Sequence, residues 1–372
     1  MYVGRDSLRD LSHYFAGYCH GAMDAGVALI FERRFQRWVE SKFGICSSGW
    51  NWVRILQTQN LPPDRDLDSV SRWLLITRAS VLSMTAVSAL TGGLLCAGHG
   101  HANWGLFFLS AIGLLTAHAA NNMINDYFDL VGGVDTADYV RARYAPHAVL
   151  SGLVSKEGLL AAIALLNLLD LIILVYIAEA RGLAVVVFAL CGLFISVFYV
   201  APPLRLKHRG PGEPCVAVVW GPLMIGGTYF VTTGELPAWV LLASLPYALL
   251  VTTVLFGKHV DKRAADAAKE IRTLPVILGD ERARAATRFM LVAFYFAIGG
   301  LVAAGVLGVW TLVVLIGVPR LVVTLRVFRE PPPETPPAGY PIWPLWYVAW
   351  AFLHTRRAGA LLIVGMVVNA LF

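Results

Sequence analysis

The sequence predicts an all-α membrane protein with nine transmembrane helices. Hydrophobic residues make up 57% of the 372 positions and charged residues only 15%, whereas a soluble protein carries roughly 25% charged residues. The apolar runs are about 20 residues long, which is the length that crosses the hydrocarbon core of a bilayer. Patterns of alternating polar and apolar residues are absent, so the segments that cross the bilayer are helices and not the strands of a barrel.

The first 70 residues form a polar extension that precedes the membrane domain of residues 71–372. The extension does not begin as a signal peptide does, because it lacks a basic start, an apolar core and a small-residue cleavage site. Residues 25–43 set apolar side chains against basic ones at helical spacing. This pattern favours either an amphipathic helix on the membrane surface or a helix that caps a cytoplasmic domain.

The membrane domain contains nine apolar segments of spanning length. A further stretch, residues 342–353, is short and rich in Trp and Tyr, and we expect it to lie at the membrane interface. The nine predicted spans are residues 73–97, 103–126, 157–178, 182–201, 214–233, 238–257, 286–305, 307–327 and 357–372.

The basic residues predict the orientation of these spans. With nine spans, 29 of the 30 Lys and Arg residues lie before or within the first span, or in the four later stretches on the same side of the membrane as the N-terminus. Arg181 alone lies in a loop on the other side. The positive-inside rule therefore places the N-terminus and these loops in the cytoplasm. The net charge of +6 therefore reflects mainly the orientation of the protein in the membrane. No nucleic-acid-binding module is visible. The five scattered cysteines show no metal-binding spacing.

A polar stripe interrupts the second apolar segment and continues into the loop that follows it. Residues 118–138 read HAANNMINDYFDLVGGVDTAD. His118, Asn122, Asn125 and Asp129 share one helical face, and Asp126, Asp135 and Asp138 accompany them. Solvated acids at a helix end are the simple alternative. A polar stripe inside an apolar helix is costly in lipid, however, and it indicates a functional site.

A second acidic stretch lies on the same predicted side, in residues 256–284, and contains Asp261 and Asp266. Carboxylate oxygens are ligands that Mg²⁺ prefers, often together with substrate phosphates. Basic side chains that could neutralise the remaining phosphate oxygens are interleaved with these acids or lie in the neighbouring loops. The sequence therefore predicts a site for magnesium and a diphosphate. The basic candidates are Arg141, Arg143, Arg205, Lys207, Lys258, Lys262 and Arg272.

These motifs resemble the UbiA superfamily of intramembrane prenyltransferases, and most closely the branch that prenylates 1,4-dihydroxy-2-naphthoate in menaquinone biosynthesis. The resemblance starts with NDYFDLVGGVD (residues 125–135) and RARYAPHAVLSGLVS (residues 141–155). It continues in order through YVAPPLRLKHRGPGEP (199–214), Gly221-Pro222, DKRAADAAKEIRTLPVILG (261–279) and PLWYVAWAFLHTRRAG (344–359). The match covers about residues 72–372.

The resemblance implies a nine-helix bundle with a central cavity in a bacterial or archaeal cell membrane. It also implies Mg²⁺-dependent transfer of an isoprenyl chain from its diphosphate to a lipophilic acceptor. Asn125, Asp129 and Asp135 match the metal and diphosphate residues of the first motif, with Asp126 as an adjacent candidate. Asp266 matches the last aspartate of the second motif. Tyr199 is a further candidate for the diphosphate, and His118, Asn122 and Tyr229 are candidates for the acceptor or a cationic chain.

The second motif departs from the family pattern. The family usually has Asn-x₃-Asp-x₃-Asp, whereas this chain has Lys258-x₂-Asp261-x₄-Asp266. Five positions on an ideal helix turn the second side chain by about 140° from the first. Either the helix ends or bulges before Asp266, or Asp261 has another role. Lys258 could then contact phosphate directly.

Three alternatives to prenyl transfer stay open. A related membrane terpene cyclase would ionise the same diphosphate and cyclise the chain without an acceptor. An ion-coupled transporter would use the buried carboxylates to bind a cation, although such sites lie near mid-membrane and these acids lie at helix ends. A purely structural protein gives no reason for two facing acidic motifs.

Overall fold

The computed structural model describes residues 69–97, 100–136, 139, 146–335, 337 and 343–372, so the predicted N-terminal extension lies almost wholly outside the described residues. Every regular element in these residues is helical. We number the helices α1 Ser69–Ile76, α2 Leu82–Leu95, α3 Trp104–Val131, α4 Lys156–Arg181, α5 Leu183–Phe198, α6 Gly212–Thr233, α7 Ala238–Asp261, α8 Arg263–Ala268, α9 Leu274–Leu278, α10 Asp280–Ala303, α11 Val309–Val327 and α12 Tyr347–Leu371.

The chain is an integral membrane protein, and its described residues contain fewer helices of spanning length than the nine that the sequence predicts. Seven of the described helices, α3, α4, α6, α7, α10, α11 and α12, are long and apolar enough to cross a bilayer. The bent pair α1–α2 makes an eighth span if both parts cross together. Helix α5 has only 16 residues, fewer than the 17 to 25 that a typical span needs.

The predicted first span, residues 73–97, is broken and not continuous. Its two parts meet at an angle of 61°, and Arg78 between them adopts the left-handed conformation with φ 53°. The break leaves the carbonyl oxygen of Thr77 outside the helical ladder, and the side-chain amide of Asn122 on α3 donates to it at 3.0 Å. Arg78 forms an ion pair with Asp126, also on α3. The polar stripe of α3 therefore holds the break in place.

The close approach of α6 and α7 depends on a glycine at the start of an irregular stretch. Residues 219–226 of α6 form a π-helical segment that contains Pro222, which lacks a backbone N–H to donate. A Cβ atom on Gly221 would lie only 2.9 Å from the Cβ atom of Ala248 on α7. Gly221 therefore lets the two helices pack closely. The backbone hydrogen bonds of α6 change to the wider π-helical pattern around Pro222.

The last helix begins earlier than the sequence indicated. The sequence predicts an interfacial segment over residues 342–353, followed by a last span over residues 357–372. The structure instead forms one helix over Tyr347–Leu371. The aromatic residues from Tyr347 onwards belong to its first turns because no helix-breaking proline follows Pro344. Gly257 on α7 allows this start to pack closely, since a Cβ atom there would lie 2.9 Å from the backbone of Val348.

Candidate active site

The first acidic motif folds back on itself at the end of α3. Asn125 and Asp129 lie four residues apart on one helical face. The backbone carbonyl of Asp129 accepts hydrogen bonds from the N–H groups of Val134 at 2.8 Å and Asp135 at 2.9 Å. The turn passes through Gly133 at φ 71°, a conformation that glycine adopts without steric cost. Asp135 is thereby brought back beside the helix end.

A lysine from the loop between α5 and α6 neutralises this motif. The Nζ atom of Lys207 lies 2.7 Å from Oδ2 of Asp129, and both side chains are buried. Burial acts to lower the pKa of Lys207, but the charge and hydrogen bond of Asp129 outweigh it, and Asp266 and Asp135 add to this effect. The pKa of Lys207 is therefore raised. Three predicted metal residues from two motifs thus act on one ammonium group.

The second motif changes direction between its two aspartates. Helix α7 ends at Asp261, and the short helix α8 carries Asp266, which is fully buried. The hydroxyl of Tyr139 donates to Oδ1 of Asp266, and Nζ of Lys262 lies 3.5 Å from the same oxygen. Burial and the Asp266 charge raise the pKa of Tyr139, so its hydroxyl stays protonated. The helix therefore ends before Asp266, as the first explanation for the i, i+5 spacing states, and Asp261 also has the separate role described below.

Further contacts bind the loops of the two motifs together. The ammonium of Lys269 donates to the carbonyl oxygens of Val134 and, at 3.3 Å, Gly133. The ammonium groups of Lys262 and Lys269 lie 4.6 Å and 4.4 Å from the ring centre of Tyr139, within the range of cation–π attraction. The two acidic motifs, distant in sequence, therefore form one polar cluster.

Part of this cluster lines one end of a cavity of about 530 Å³ that continues between the helices as a mainly apolar space. Hydrophobic side chains of α3, α4, α5, α6 and α7 form most of its wall, and an apolar chain fits such a lining. The residues at its polar end are Asn125, Asp129, Asp135, Tyr199, Lys207, Lys258, His259 and Lys262. His118 and Asn122 also line it, about two turns and one turn before Asn125 on α3.

Asp126, Asp135 and His147 bring three potential metal-binding atoms within 4.8 Å of one another. The Nδ1 atom of His147 accepts from the backbone N–H groups of Val149 at 3.2 Å and Leu150 at 3.3 Å. The proton of the neutral ring therefore lies on Nε2, which is 3.2 Å from the carbonyl oxygen of Asp126. His147 thus positions the loop in this arrangement and offers no nitrogen lone pair to a metal.

Several predicted site residues lie elsewhere. Both carboxylate oxygens of Asp261 accept backbone N–H groups at the start of α12, from Tyr347 at 2.8 Å and Val348 at 2.9 Å. Because both of its oxygens are already occupied by these N–H groups, Asp261 caps α12 in the structure, in place of the predicted metal contact. Tyr229 is fully buried and packs edge-on against Trp239, away from the cavity wall.

Two predicted phosphate residues, Arg205 and Arg272, are exposed and do not line the cavity. Arg205 has φ 45° in a tight turn, which points to a local backbone role. Asp138, Arg141 and Arg143 lie outside the described residues. Of the acceptor candidates, His118 receives a hydrogen bond from, or donates one to, Thr85 at 2.7 Å, and its ring meets Trp220 edge-on.

A buried pair behind the second motif is not apparent from the sequence pattern. The Nδ1–H group of His259 donates to Oε1 of Glu213 at 2.6 Å, and Oε2 of Glu213 accepts from the backbone N–H of Leu274 at 3.3 Å. Both side chains of the pair are 1% exposed. Glu213 therefore joins the start of α6 to the end of α7 and orients a histidine on the cavity wall. The sequence feature that could have indicated this pair is Glu213 itself, an acid in the first turn of an apolar helix.

The donor set fits a hard divalent cation. The Oδ1 atom of Asn125 and the Oδ2 atom of Asp266 are buried without a hydrogen-bond partner in the described part of the chain, which is costly unless a cation or donor reaches them. Asn125 lines the cavity together with Asp129 and Asp135, which add carboxylate oxygens, whereas Asp266 lies behind the cavity wall against Lys262. Oxygen-only ligands of this kind suit Mg²⁺.

A helical membrane bundle with carboxylates and lysines at the polar end of a mainly apolar cavity defines an intramembrane enzyme that handles a charged group on a lipophilic chain. The chain belongs to the UbiA prenyltransferase family, whose sequence model matches residues 85–353, and it is a prenyltransferase.

Named relatives agree with this assignment. The chain is 25% identical over 255 residues to 1,4-dihydroxy-2-naphthoate octaprenyltransferase of Bacillus subtilis, covering 68% of this chain and 81% of that protein. It is 27% identical over 253 residues to 2-carboxy-1,4-naphthoquinone phytyltransferase of Synechocystis, covering 66% and 77%. The predicted resemblance to the naphthoate branch is confirmed at this level of similarity.

Solved structures share the fold. A UbiA homolog from Aeropyrum pernix superposes with a TM-score of 0.58 at 17% identity, covering 78% of this chain and 98% of that one. A UbiA homolog from Archaeoglobus fulgidus bound to GPP and Mg²⁺ gives a TM-score of 0.52 at 16% identity, covering 78% and 99%. These similarities establish the common architecture of the membrane domain.

Proposed function

We propose that this protein transfers an isoprenyl chain from its diphosphate to a lipophilic aromatic acceptor of the 1,4-dihydroxy-2-naphthoate type, with Mg²⁺ as cofactor. One observation carries the proposal: the buried ion pair of Lys207 and Asp129 lies next to Asp135 at the polar end of a mainly apolar cavity. The cluster suits a metal and a diphosphate, and the apolar wall suits the chain attached to it. The named naphthoate relatives support the acceptor class.

Asn125, Asp129, Asp135 and Asp266 would hold the metal. When bound, Mg²⁺ supplies positive charge that stabilises the departing diphosphate. Lys258 and Lys262, which line the same end of the cavity, would bind phosphate oxygens and stabilise the charge that develops as the C1–O bond breaks. Tyr139 and Lys269 hold the two motif loops together, so these groups are in place before the substrate enters.

The apolar wall would exclude water from the cationic C1 carbon until the acceptor attacks it. Two aromatic residues of the cavity wall, Tyr199 and Trp220, present π faces that could stabilise positive charge there. The acceptor then contributes an electron pair to the new carbon–carbon bond and loses a proton. We further propose that the polar end of the cavity faces the cytoplasm, because the basic loops gather on that side.

The direct test is turnover of the purified protein with geranylgeranyl diphosphate and Mg²⁺, with and without 1,4-dihydroxy-2-naphthoate, read by product mass. A prenylated naphthoate is the expected product. A cyclised hydrocarbon or alcohol in both reactions would replace prenyl transfer with the cyclase function. Pyrophosphate release without either product would retain the diphosphate site and reject the naphthoate acceptor.

A further inference from the structure

A single acid lies inside the membrane on the wall of the apolar part of the cavity. Asp170 is the one charged residue of α4 between Glu157 and Glu179, and it is half-buried at the cavity surface. The hydroxyl of Thr116 on α3 donates to its Oδ1 atom. An ionisable group at such a depth is costly and is by default a functional residue. The proposed reaction chemistry does not use it.

Polar side chains also line the cavity on the side of Asp170 nearer the carboxylate cluster. Asn167 lies one turn before Asp170 on the cavity wall, and the Ser196 hydroxyl donates to Asn121 at 2.8 Å across the cavity-lining helices α5 and α3. Beyond Asp170 the wall is mainly apolar, with Ser110 of α3 as a polar exception. The residues there include Leu174, Ile177, Val185, Phe188 and Val231. Asp170 therefore stands at a boundary between two parts of the cavity.

The depth of this boundary follows from the helix geometry. Thr116 precedes Asp129 by thirteen residues on the continuous helix α3, so Asp170 lies about 20 Å from the level of Asp129 at a rise of 1.5 Å per residue. An extended isoprene unit adds four chain bonds, or about 5 Å, scaled from the 3.3–3.6 Å that three bonds span in an extended peptide. A chain with its diphosphate at the carboxylates therefore reaches Asp170 after about four units.

We propose that Asp170 determines the chain length of the isoprenyl diphosphate, favouring chains of up to about four isoprene units over longer ones. The proposal rests on the function proposed above. A longer chain must lie against the Asp170 carboxyl group and displace the water that solvates it. Loss of solvation without a new hydrogen bond is unfavourable, and we expect it to weaken the use of long chains about tenfold.

The position of Asp170 argues against two other roles. The acceptor must meet the C1 carbon at the carboxylate end, about 20 Å from Asp170 by the same helix rise, so a contact with the reacting ring is excluded. A purely structural role, in which Thr116 and Asp170 hold α3 against α4, would affect all substrates alike. Dependence on chain length is therefore the property that separates the proposal from a structural role.

The experiment compares farnesyl, geranylgeranyl and octaprenyl diphosphate with purified wild-type protein and the Asp170→Leu variant, at saturating Mg²⁺ and 1,4-dihydroxy-2-naphthoate. We expect the ratio of kcat/KM for octaprenyl to that for farnesyl diphosphate to rise about tenfold in the variant. Asp170→Asn keeps a polar group at this depth and should keep the wild-type ratio. Glu179→Gln, an exposed position on the same helix, serves as the control.

A second variant tests the proposal if Asp170→Leu does not fold. Thr116→Val removes the hydroxyl that donates to Asp170 and leaves the acid less satisfied, so the same ratio should fall below the wild-type value. An equal loss for all three chain lengths in both variants would overturn the proposal in favour of a structural role. If the wild-type protein uses none of the three diphosphates, the proposed function itself fails, which is a distinct outcome.

Discussion

Lys207 and Asp129 form a buried ion pair with a separation of 2.7 Å, and they come from different parts of the chain. The pair joins the loop before α6 to the end of α3, so it shapes the polar end of the cavity. Replacing Lys207 by Met leaves Asp129 as a buried charge without its partner. We expect a loss of about 3 kcal/mol in the free energy of unfolding, measured as a lower thermal midpoint. Arg209→Met, an exposed change in the same loop, should leave the midpoint unchanged.

The carboxylates of both motifs should be required for turnover. Asp129→Asn and Asp266→Asn keep the size of each side chain but remove its charge, and we expect turnover to fall at least a hundredfold. Pyrophosphate release under saturating substrate measures this loss. Glu281→Gln, an exposed acid at the start of α10, is the matched control. Wild-type turnover in either variant would reject the metal site that we assign to these residues.

Asp261 should affect stability and not the metal requirement. Its two oxygens accept the backbone N–H groups of Tyr347 and Val348, so Asp261→Ala removes the cap of α12 and should cost about 1–2 kcal/mol. The Mg²⁺ concentration that gives half-maximal turnover should equal that of the wild-type protein. A several-fold rise in that concentration would instead restore Asp261 to the metal site, as the sequence motif first indicated.

The cavity lysines, and not the exposed arginines, should bind the diphosphate. Lys258 lines the polar end of the cavity, whereas Arg205 is exposed outside it. A charged hydrogen bond contributes about 1.5–3 kcal/mol, so Lys258→Met should raise the KM for the isoprenyl diphosphate about tenfold or more. Arg205→Met should leave this KM within twofold of the wild-type value.

Arg181 is a poor control for that comparison, although it is the one basic residue on the opposite predicted side. Its guanidinium donates to the carbonyl oxygens of Val231 at 2.8 Å and Thr232 at 2.9 Å. It therefore satisfies the end of α6, and its replacement would disturb the fold. A larger effect on KM from Arg205→Met than from Lys258→Met would show that phosphate binds at the loop surface.

The helical class and the location of the first motif were predictable because apolar length and a costly polar stripe are local properties of the sequence. Asn125, Asp129 and Asp135 were found in this way, and the structure places all three with Lys207 on the cavity wall, with Asp266 behind it against Lys262. The resemblance to a family supplied the order of the motifs. Charge alone could not show which basic residues bind phosphate, because Lys and Arg also set the orientation of a membrane protein.

The remaining features depend on contacts between distant segments. Spacing showed that Asp261 and Asp266 could not share one helical face, but the partners of Asp261 lie 86 residues further along the chain. The pair of Glu213 and His259 joins residues 46 positions apart. The role of Asn122 depends on a break in the first span that no glycine or proline marks in the sequence around Thr77. Such tertiary contacts are not visible in a local pattern.

The left-handed residue Arg78 also has a consequence for how the protein is made. The carbonyl of Thr77 and the charge of Arg78 find their partners on α3, in Asn122 and Asp126. In lipid, each of these groups alone would be exposed to hydrocarbon without a hydrogen bond. The first segment therefore becomes stable in the bilayer only once α3 lies beside it. We therefore expect the two segments to enter the bilayer together as a helical hairpin, with Asn122 and Asp126 already against their partners before Lys207 and Asp266 join the site.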